Sequence, residues 1–402
     1  MEAKKESAVE NFYAIIHEEQ GPPSCITMVI RRHIPPAVRS SQGTAIPSQG
    51  EFFLSPGTTR ACLRLADGSM WHGLSCAAHA SVCGEVVFNT GMMGYVETLT
   101  DPSYAGQILV FTYPLIGNYG VPQRTRWESK KIQVRGVVVT HLAHAWSHWQ
   151  GTQAFSAWLA SQRIPCLTAI DTRALTLRLR THGVMLGAIE QTGAAVTIED
   201  PHTTNLVATV SPKTIIASGR GKKKVILVDC GAKESIAREL IARGLMVVRV
   251  PYNYDYTTLK AAGIVVSNGP GDPTQCKATI AILKKNLERN RPVFGICLGS
   301  QLMGLAAGSA TYKLPYGHRG QNQPCVVEGS ARCVLTSQNH GYAVREKTLP
   351  RDWRVSFRNA NDGTVEGIAH RTRPFFSVQF HPEAHPGPND TNYLFDEFVK
   401  LL

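Results

Sequence analysis

The sequence predicts an α/β protein with two folded bodies. A smaller mixed β/α domain comes first, and a larger domain follows whose mostly parallel sheet is flanked by helices. Three observations predict it. The 402 residues suffice for two domains, each with a sizeable core. From residue 223 to 402, continuous apolar runs alternate with amphipathic stretches, as expected of strands buried on both faces between covering helices. From 59 to 205, four strand-like runs accompany a single helical one.

Bulk composition narrows the class further. A hydrophobic share of 43% with 18% charged residues is ordinary for a globular protein, and no apolar run reaches membrane-spanning length. The net charge of +12 raises the question of nucleic acid, which would call for basic residues clustered with aromatics. They are scattered instead. The densest run, Lys222-Lys223-Lys224 beside Arg220, reads as a solvated linker, so neither nucleic acid nor membrane is an expected partner. A basic surface suits an acidic partner protein or anionic substrates. Ten cysteines form no CxxC pair, and Cys166, Cys230 and Cys333 sit in apolar surroundings. Buried free thiols in a reducing compartment are expected, with no disulfide framework and no zinc site.

In chain order, residues 1–58 carry Gly21-Pro22-Pro23, Pro35-Pro36 and Pro56-Gly57 with no lasting periodicity, and read as a disordered extension. Five glutamates among the first twenty residues argue against a transit peptide from Met1. From Met28 the segment is Arg-rich and free of acids until Glu51, which fits one. The expected location is the cytoplasm, or the mitochondrion if that segment acts as a leader. The first domain, 59–205, has strands at Cys62–Leu65, Glu85–Phe88, Gln107–Thr112 and Val137–Thr140. A short helix spans 171–183, opened by Asp171, closed by Gly183 and apolar at Leu175, Leu177 and Leu179. Residues 206–222 read as a linker. In the second domain, 223–402, strands are expected at Val225–Val228, Met246–Val250, Gly263–Val266, Val293–Ile296 and Phe375–Phe380. Helices are expected at 232–243 and 275–290. A closing helix carries Leu394, Phe395, Phe398, Leu401 and Leu402 on one stripe.

Three motifs at strand ends carry chemistry. Gly295-Ile296-Cys297-Leu298-Gly299 lies between an apolar strand and an apolar helix. A nucleophile on such a turn needs small neighbours, because the backbone is strained and the side chain must project outward; the helix behind it aims its N-terminal N–H groups at the sulfur. Alone, this Cys could equally be a buried structural thiol. Phe380-His381-Pro382-Glu383 supplies what a thiol lacks, a base and a carboxylate to fix its tautomer. Ser267-Asn268-Gly269-Pro270-Gly271-Asp272-Pro273 exposes backbone N–H groups suited to an oxyanion hole, although a tight βα turn would look the same.

In this order and spacing the three motifs resemble the class I, triad-type glutamine amidotransferase domain. Glu85-Val86-Val87-Phe88-Asn89-Thr90, Leu99-Thr100-Asp101-Pro102-Ser103-Tyr104, Tyr113-Pro114 with Ile116-Gly117-Asn118, Asp171-Thr172-Arg173 and Arg319-Gly320-Gln321-Asn322-Gln323-Pro324 extend the likeness. They resemble the small, glutamine-hydrolysing subunit of carbamoyl phosphate synthetase, over residues 60–402. Several stretches (TYPLIGNYG, LTSQNHGYAV, PFFSVQFHPE) are worded most like the eukaryotic pyrimidine-pathway form. The resemblance implies Cys297 as nucleophile, His381 as base and then acid, and Glu383 as its orienting carboxylate. It implies Gly269 and Leu298 as oxyanion donors, and Ser103, Gly271, Gln301, Asn339, Gly341 and Tyr342 as holders of L-glutamine. No cofactor is expected in this chain; ATP, bicarbonate and Mg would serve a partner synthetase, either a large subunit or a fused domain, that receives the ammonia.

One residue departs from the pattern: the family places His after Gly299, and this chain has Ser300. That departure and the unusual N-terminus are the support for an alternative, a weak or inactive regulatory partner of the synthetase. His141, His144 and His148 recur at helix-like spacing, yet the family carries Ser-His-Trp at the matching place and no Cys or carboxylate completes a ligand set, so no metal is expected there.

Overall fold

Alternate residues of the first strands feed two different cores. Leu63, Leu65, Val86, Phe88, Ile108 and Val110 join one buried cluster, whereas Val87, Leu109 and Phe111 join another with Tyr95 and Trp158. This is the period of two expected of a strand covered on both sides. The computed structural model describes residues 59–191 and 195–402, all within one compact unit, Leu54–Leu402; the extension and leader expected over 1–58 lie outside the described residues.

Seven strands close into a barrel in the order Thr59–Leu65, Met70–Ser75, Cys166–Thr168, Gly136–Val138, Gln107–Phe111, Val82–Asn89, Met185–Gln191. The pairings from Val82–Asn89 through Gln107–Phe111 and Gly136–Val138 to Cys166–Thr168 are parallel, and the rest are antiparallel. The helix Thr172–His182 starts where Asp171 accepts a hydrogen bond from the Ala174 N–H at 2.9 Å, a side-chain N-cap. It buries Leu175 and Leu179, one turn apart, but Leu177 is 52% exposed, because the helical period turns it to the opposite face.

The second body is a sheet of ten strands, in the order Ile216–Ser218, Leu245–Pro251, Lys223–Asp229, Gly263–Val266, Val293–Ile296, Phe375–Val378, Val365–His370, Trp353–Asn359, Thr311–Val327, Cys333–Val344. Strands two to six of that order are parallel. Ile226 and Val228 point into one core and Val225 and Leu227 into the other, so both faces are covered. Helices Glu234–Ala242, Lys277–Leu287 and Tyr393–Lys400 occur in the expected places. The last buries Leu394, Phe395 and Phe398, while Leu401 lies past its end and is 43% exposed.

Three further differences have local causes. Residues 206–222, expected as linker, contain the short helix Val207–Val210 and the edge strand Ile216–Ser218; an edge strand needs backbone partners but no apolar face, and Ile216 stays exposed. Four antiparallel strands between residues 311 and 370 extend the sheet without any long apolar run to announce them. Two of them are interrupted by register shifts between Lys313 and His318 and between Gly320 and Gln323. Cys333 is exposed at the start of such a strand, unlike buried Cys166 and Cys230. No helix among the described residues is long and apolar enough to cross a membrane.

Candidate active site

The parallel strands Gly263–Val266, Val293–Ile296 and Phe375–Val378 lie side by side, and the residues after their carboxyl ends converge, the usual ligand edge of such a sheet. Cys297 follows Val293–Ile296 with φ 54° and ψ −105°, a conformation that costs a non-glycine residue free energy and persists only when its surroundings enforce it. They do so through glycines. A Cβ on Gly295 would stand 2.7 Å from the Gly299 carbonyl oxygen, and one on Gly299 would collide with the Val266 carbonyl. The helix Leu298–Ala307 then begins, with the Ser300 N–H donating to the Cys297 carbonyl at 3.0 Å.

His381 is tied at its N–H to the Ser337 carbonyl at 2.9 Å, and its ring Nδ1 lies 2.6 Å from Glu383 Oε1. Both side chains are almost fully buried. Burial alone would lower the His381 pKa; the Glu383 carboxylate and the Cys297 sulfur outweigh it and hold the imidazole above its ordinary range. Burial would likewise raise Glu383, yet Lys233 and His381 hold it below the usual carboxylate range. Nε2 of His381 has no hydrogen-bond partner among the described residues, which leaves it available to the neighbouring thiol. The Cys297 thiol donates to the Asn339 carbonyl at 3.6 Å and receives the Gln379 amide at 3.7 Å.

Ser103, Gly269, Gly271, Leu298, Gln301, Asn339, Gly341 and Tyr342 all border one slot with Cys297. Gly269 has no room for a Cβ, which would strike the Cys230 carbonyl, and Gly271 takes φ +84°. The Gln301 amide donates to the Tyr342 carbonyl at 2.8 Å and to Gln379 Oε1 at 3.2 Å, anchoring the strand that carries Asn339, Gly341 and Tyr342. Ser300, the departure from the family pattern, is buried and hydrogen-bonded through Oγ to Ser377 Oγ at 2.8 Å; it takes no place in the relay.

Four residues escape the sequence reading. Asp101 joins the two bodies: its carboxylate receives the Asn268 amide at 3.1 Å, the Asn339 amide at 3.1 Å and the Ser103 N–H at 2.9 Å. Lys233, 3% exposed, stands behind Glu383 with Nζ 3.1 Å from Oε1 and donates to the Ala384 carbonyl at 2.6 Å. Burial works against its charge, but Glu383, Glu128 and Asp101 hold its pKa up. Glu85 and Arg319 contribute charge to the slot wall. Asp101, Glu85 and Arg319 lie inside stretches that carry the family likeness, which was the signal available; Lys233 has only its place just after a strand.

A larger cavity, about 880 Å3, lies beside the slot and is lined by Asp171, Arg173, Arg180 and Asp362. It shares Arg319 with the slot but is not bordered by Cys297. Among the described residues one group could ligate a metal, His318, His340 and Glu366, whose ligating atoms lie within 4.8 Å of one another. Those atoms are engaged with each other, His318 Nδ1 lying 3.1 Å from Glu366 Oε1.

The chemistry open to this arrangement is narrow. A thiol with an imidazole–carboxylate pair behind it attacks an acyl carbon and passes through a thioester; on a parallel α/β sheet that is the design of the class I glutamine amidotransferases. The Glutamine amidotransferase class-I family model matches residues 226–401, and that of the carbamoyl-phosphate synthase small chain, CPSase domain, matches 63–189. The carbamoyl phosphate synthase arginine-specific small chain of Neurospora crassa is 43% identical over 390 residues, covering 92% of this chain and 86% of that protein. The chain therefore belongs to the carbamoyl phosphate synthase small-chain family. Multifunctional protein CAD of Squalus acanthias is 47% identical over 356 residues, 85% of this chain and 16% of that protein. The mitochondrial carbamoyl-phosphate synthase (ammonia) of Aquarana catesbeiana is 44% identical over 353 residues, 85% of this chain and 24% of that protein.

Proposed function

We propose that the chain hydrolyses L-glutamine and hands the ammonia to a synthetase subunit or fused synthetase domain. The Cys297 thiol gives its proton to Nε2 of His381 as the sulfur attacks the carboxamide carbon, and the N–H groups of Gly269 and Leu298 hold the resulting oxyanion. His381 gives its Nε2 proton to the departing nitrogen, which leaves as ammonia, and a glutamyl thioester remains. His381 then takes a proton from water, the hydroxide attacks the thioester carbon, and glutamate departs as the released sulfur takes that proton back from His381. Glu383 keeps the imidazole oriented throughout. Ser103, Gly271, Gln301, Asn339, Gly341 and Tyr342 cradle the substrate. One observation carries the reading above all: the 2.6 Å pair of His381 and Glu383 set beside a strained cysteine.

ATP, bicarbonate and Mg belong, in this reading, to the partner, since the sequence has no G-x-x-x-x-G-K-[ST] loop. Nine free cysteines among the described residues fit a reducing compartment, the cytoplasm or the mitochondrial interior. The alternative of an inactive regulatory partner finds no support in Ser300, whose hydroxyl is taken up by Ser377.

The test is Cys297→Ser. Glutamine turnover is expected to fall at least ~10³-fold, with glutamine binding by calorimetry retained, while the unmodified chain yields a trappable glutamyl thioester and speeds up on adding a synthetase subunit. Unchanged turnover in the variant would sink the assignment.

A further inference from the structure

We infer that His318, His340 and Glu366 form a binding site for one divalent transition-metal ion, zinc by preference, with the Gln338 amide oxygen as fourth ligand. The three come from three strands, Thr311–Val327, Cys333–Val344 and Val365–His370, and all are buried. Carbonyl and carboxylate oxygens only accept hydrogen bonds. His318 Nε2 faces Asp362 Oδ2 at 2.8 Å, and His340 Nδ1 faces the Tyr342 carbonyl at 3.0 Å, so these outer nitrogens carry protons. The inner nitrogens face acceptors as well. His318 Nδ1 stands 3.1 Å from Glu366 Oε1, and His340 Nε2 stands 3.6 Å from the same oxygen and 3.2 Å from Gln338 Oε1. The Gln338 amide is held in that orientation, since its Nε2 donates to Thr336 Oγ1 at 3.0 Å and to Cys325 Sγ at 3.3 Å. Four acceptor atoms therefore face one another unless both rings are doubly protonated.

Two buried imidazoliums with ring centroids 4.9 Å apart are costly. Burial opposes charge on both rings. Glu366 and Asp362 overcome it at His318 and hold that pKa up, whereas at His340 burial prevails, with His318 adding to it. A single divalent ion supplies the same charge and takes up the lone pairs directly. Zinc held by nitrogen and oxygen at about 2.0–2.2 Å in a tetrahedron sets neighbouring ligand atoms about 3.3 Å apart. The separations here are 3.1, 3.2 and 3.6 Å. The acceptors behind the two rings, a carboxylate and a backbone carbonyl, are the outer partners that orient metal-ligating histidines. Glu366 Oε2, buried without a partner among the described residues, is a further oxygen left over for the ion. The ion staples three strands together, and His340 borders the slot beside Gly341 and Tyr342, so it braces that wall.

The full chain, freed of metal by dialysis against a chelator, should be titrated with Co2+ and then with Zn2+. About one equivalent of Co2+ should bind with the intense visible absorption of a four-coordinate ion, and Zn2+ should displace it. His318→Asn should weaken Zn2+ binding about 100-fold. Asp362→Asn, which loses only the hydrogen bond behind the ring, should weaken it about 10-fold. His148→Asn should bind as the native chain does. Asp362 is no ligand and its side chain is 40% exposed, so that variant carries the test if His318→Asn does not fold. Three results would overturn the inference: no uptake by the native chain, the pale absorption of a six-coordinate ion, or native affinity in His318→Asn (in Asp362→Asn where the former does not fold). None of these readouts depends on glutamine turnover.

Discussion

At the residue scale, Glu383 receives two donors on the same oxygen: Nδ1 of His381 at 2.6 Å and Nζ of Lys233 at 3.1 Å. Because the carboxylate raises the folded-state pKa of His381, the stabilisation it gives is complete below the ordinary imidazole value of about 6.5 and is lost as pH rises through the raised one. Catalysis that needs the imidazolium proton for the leaving ammonia should share that alkaline limit. In Glu383→Gln the carboxylate charge is gone, so the alkaline limb of kcat/KM should move to lower pH and the maximum rate fall about 10²-fold or more. A pH–rate profile of the two proteins checks this, and an unmoved limb would contradict it. Cys297, His381 and Glu383 were readable from the sequence because each sits in a short pattern whose spacing is itself chemical: glycines flanking an elbow, and a base two residues from its carboxylate. Lys233 and Asp101 were not assigned roles, since each meets its partners only through the fold, Asp101 reaching Asn339 from another strand system.

At the scale of elements, the slot's far wall is the antiparallel pair Thr311–Val327 and Cys333–Val344, held by a buried charge network as well as by apolar side chains such as Val334 and Val344. Glu366, from the strand Val365–His370, faces His318 at 3.1 Å and His340 at 3.6 Å. His340 in turn donates from Nδ1 to the Tyr342 carbonyl at 3.0 Å. Burial would raise the Glu366 pKa, but the two histidines hold it down. Glu366→Gln removes the charge and should destabilise the protein by about 3 kcal/mol, read from urea unfolding, and should raise the KM for glutamine as Tyr342 loosens. Stability within error of the native protein would refute the role. These strands were hidden in the sequence for a related reason. Their buried His, Glu, Asn and Gln pairings across strands interrupt the apolar pattern, whereas Val225–Val228 and Val293–Ile296 announce themselves by continuous burial.

At the scale of the molecule, two bodies share one site, and Glu128 helps to lock them. Fully buried, it accepts from the Ser235 N–H at 2.9 Å and the Ser235 hydroxyl at 2.6 Å, and pairs with Arg238 at 2.7 Å. It thus caps the helix Glu234–Ala242 of the second body from a loop of the first. Glu128→Ala strands those donors and should cost about 3 kcal/mol, with unfolding that splits into two transitions by calorimetry; a single unshifted transition would refute it. A β-rich first part and an α/β second part were legible from the element pattern, but their docking was not, since Glu128 sits in no motif. The bridging carboxylate of Asp101 has a further consequence, for the order of synthesis. A ribosome delivers Asp101 and Ser103 long before Cys297, and Cys297 long before His381 and Glu383. A nascent or truncated chain can hold the cradle without the nucleophile, or the nucleophile without its relay, but not a working hydrolase. On the reading proposed above, glutamine turnover begins only once the last of these residues has been made and has folded into place.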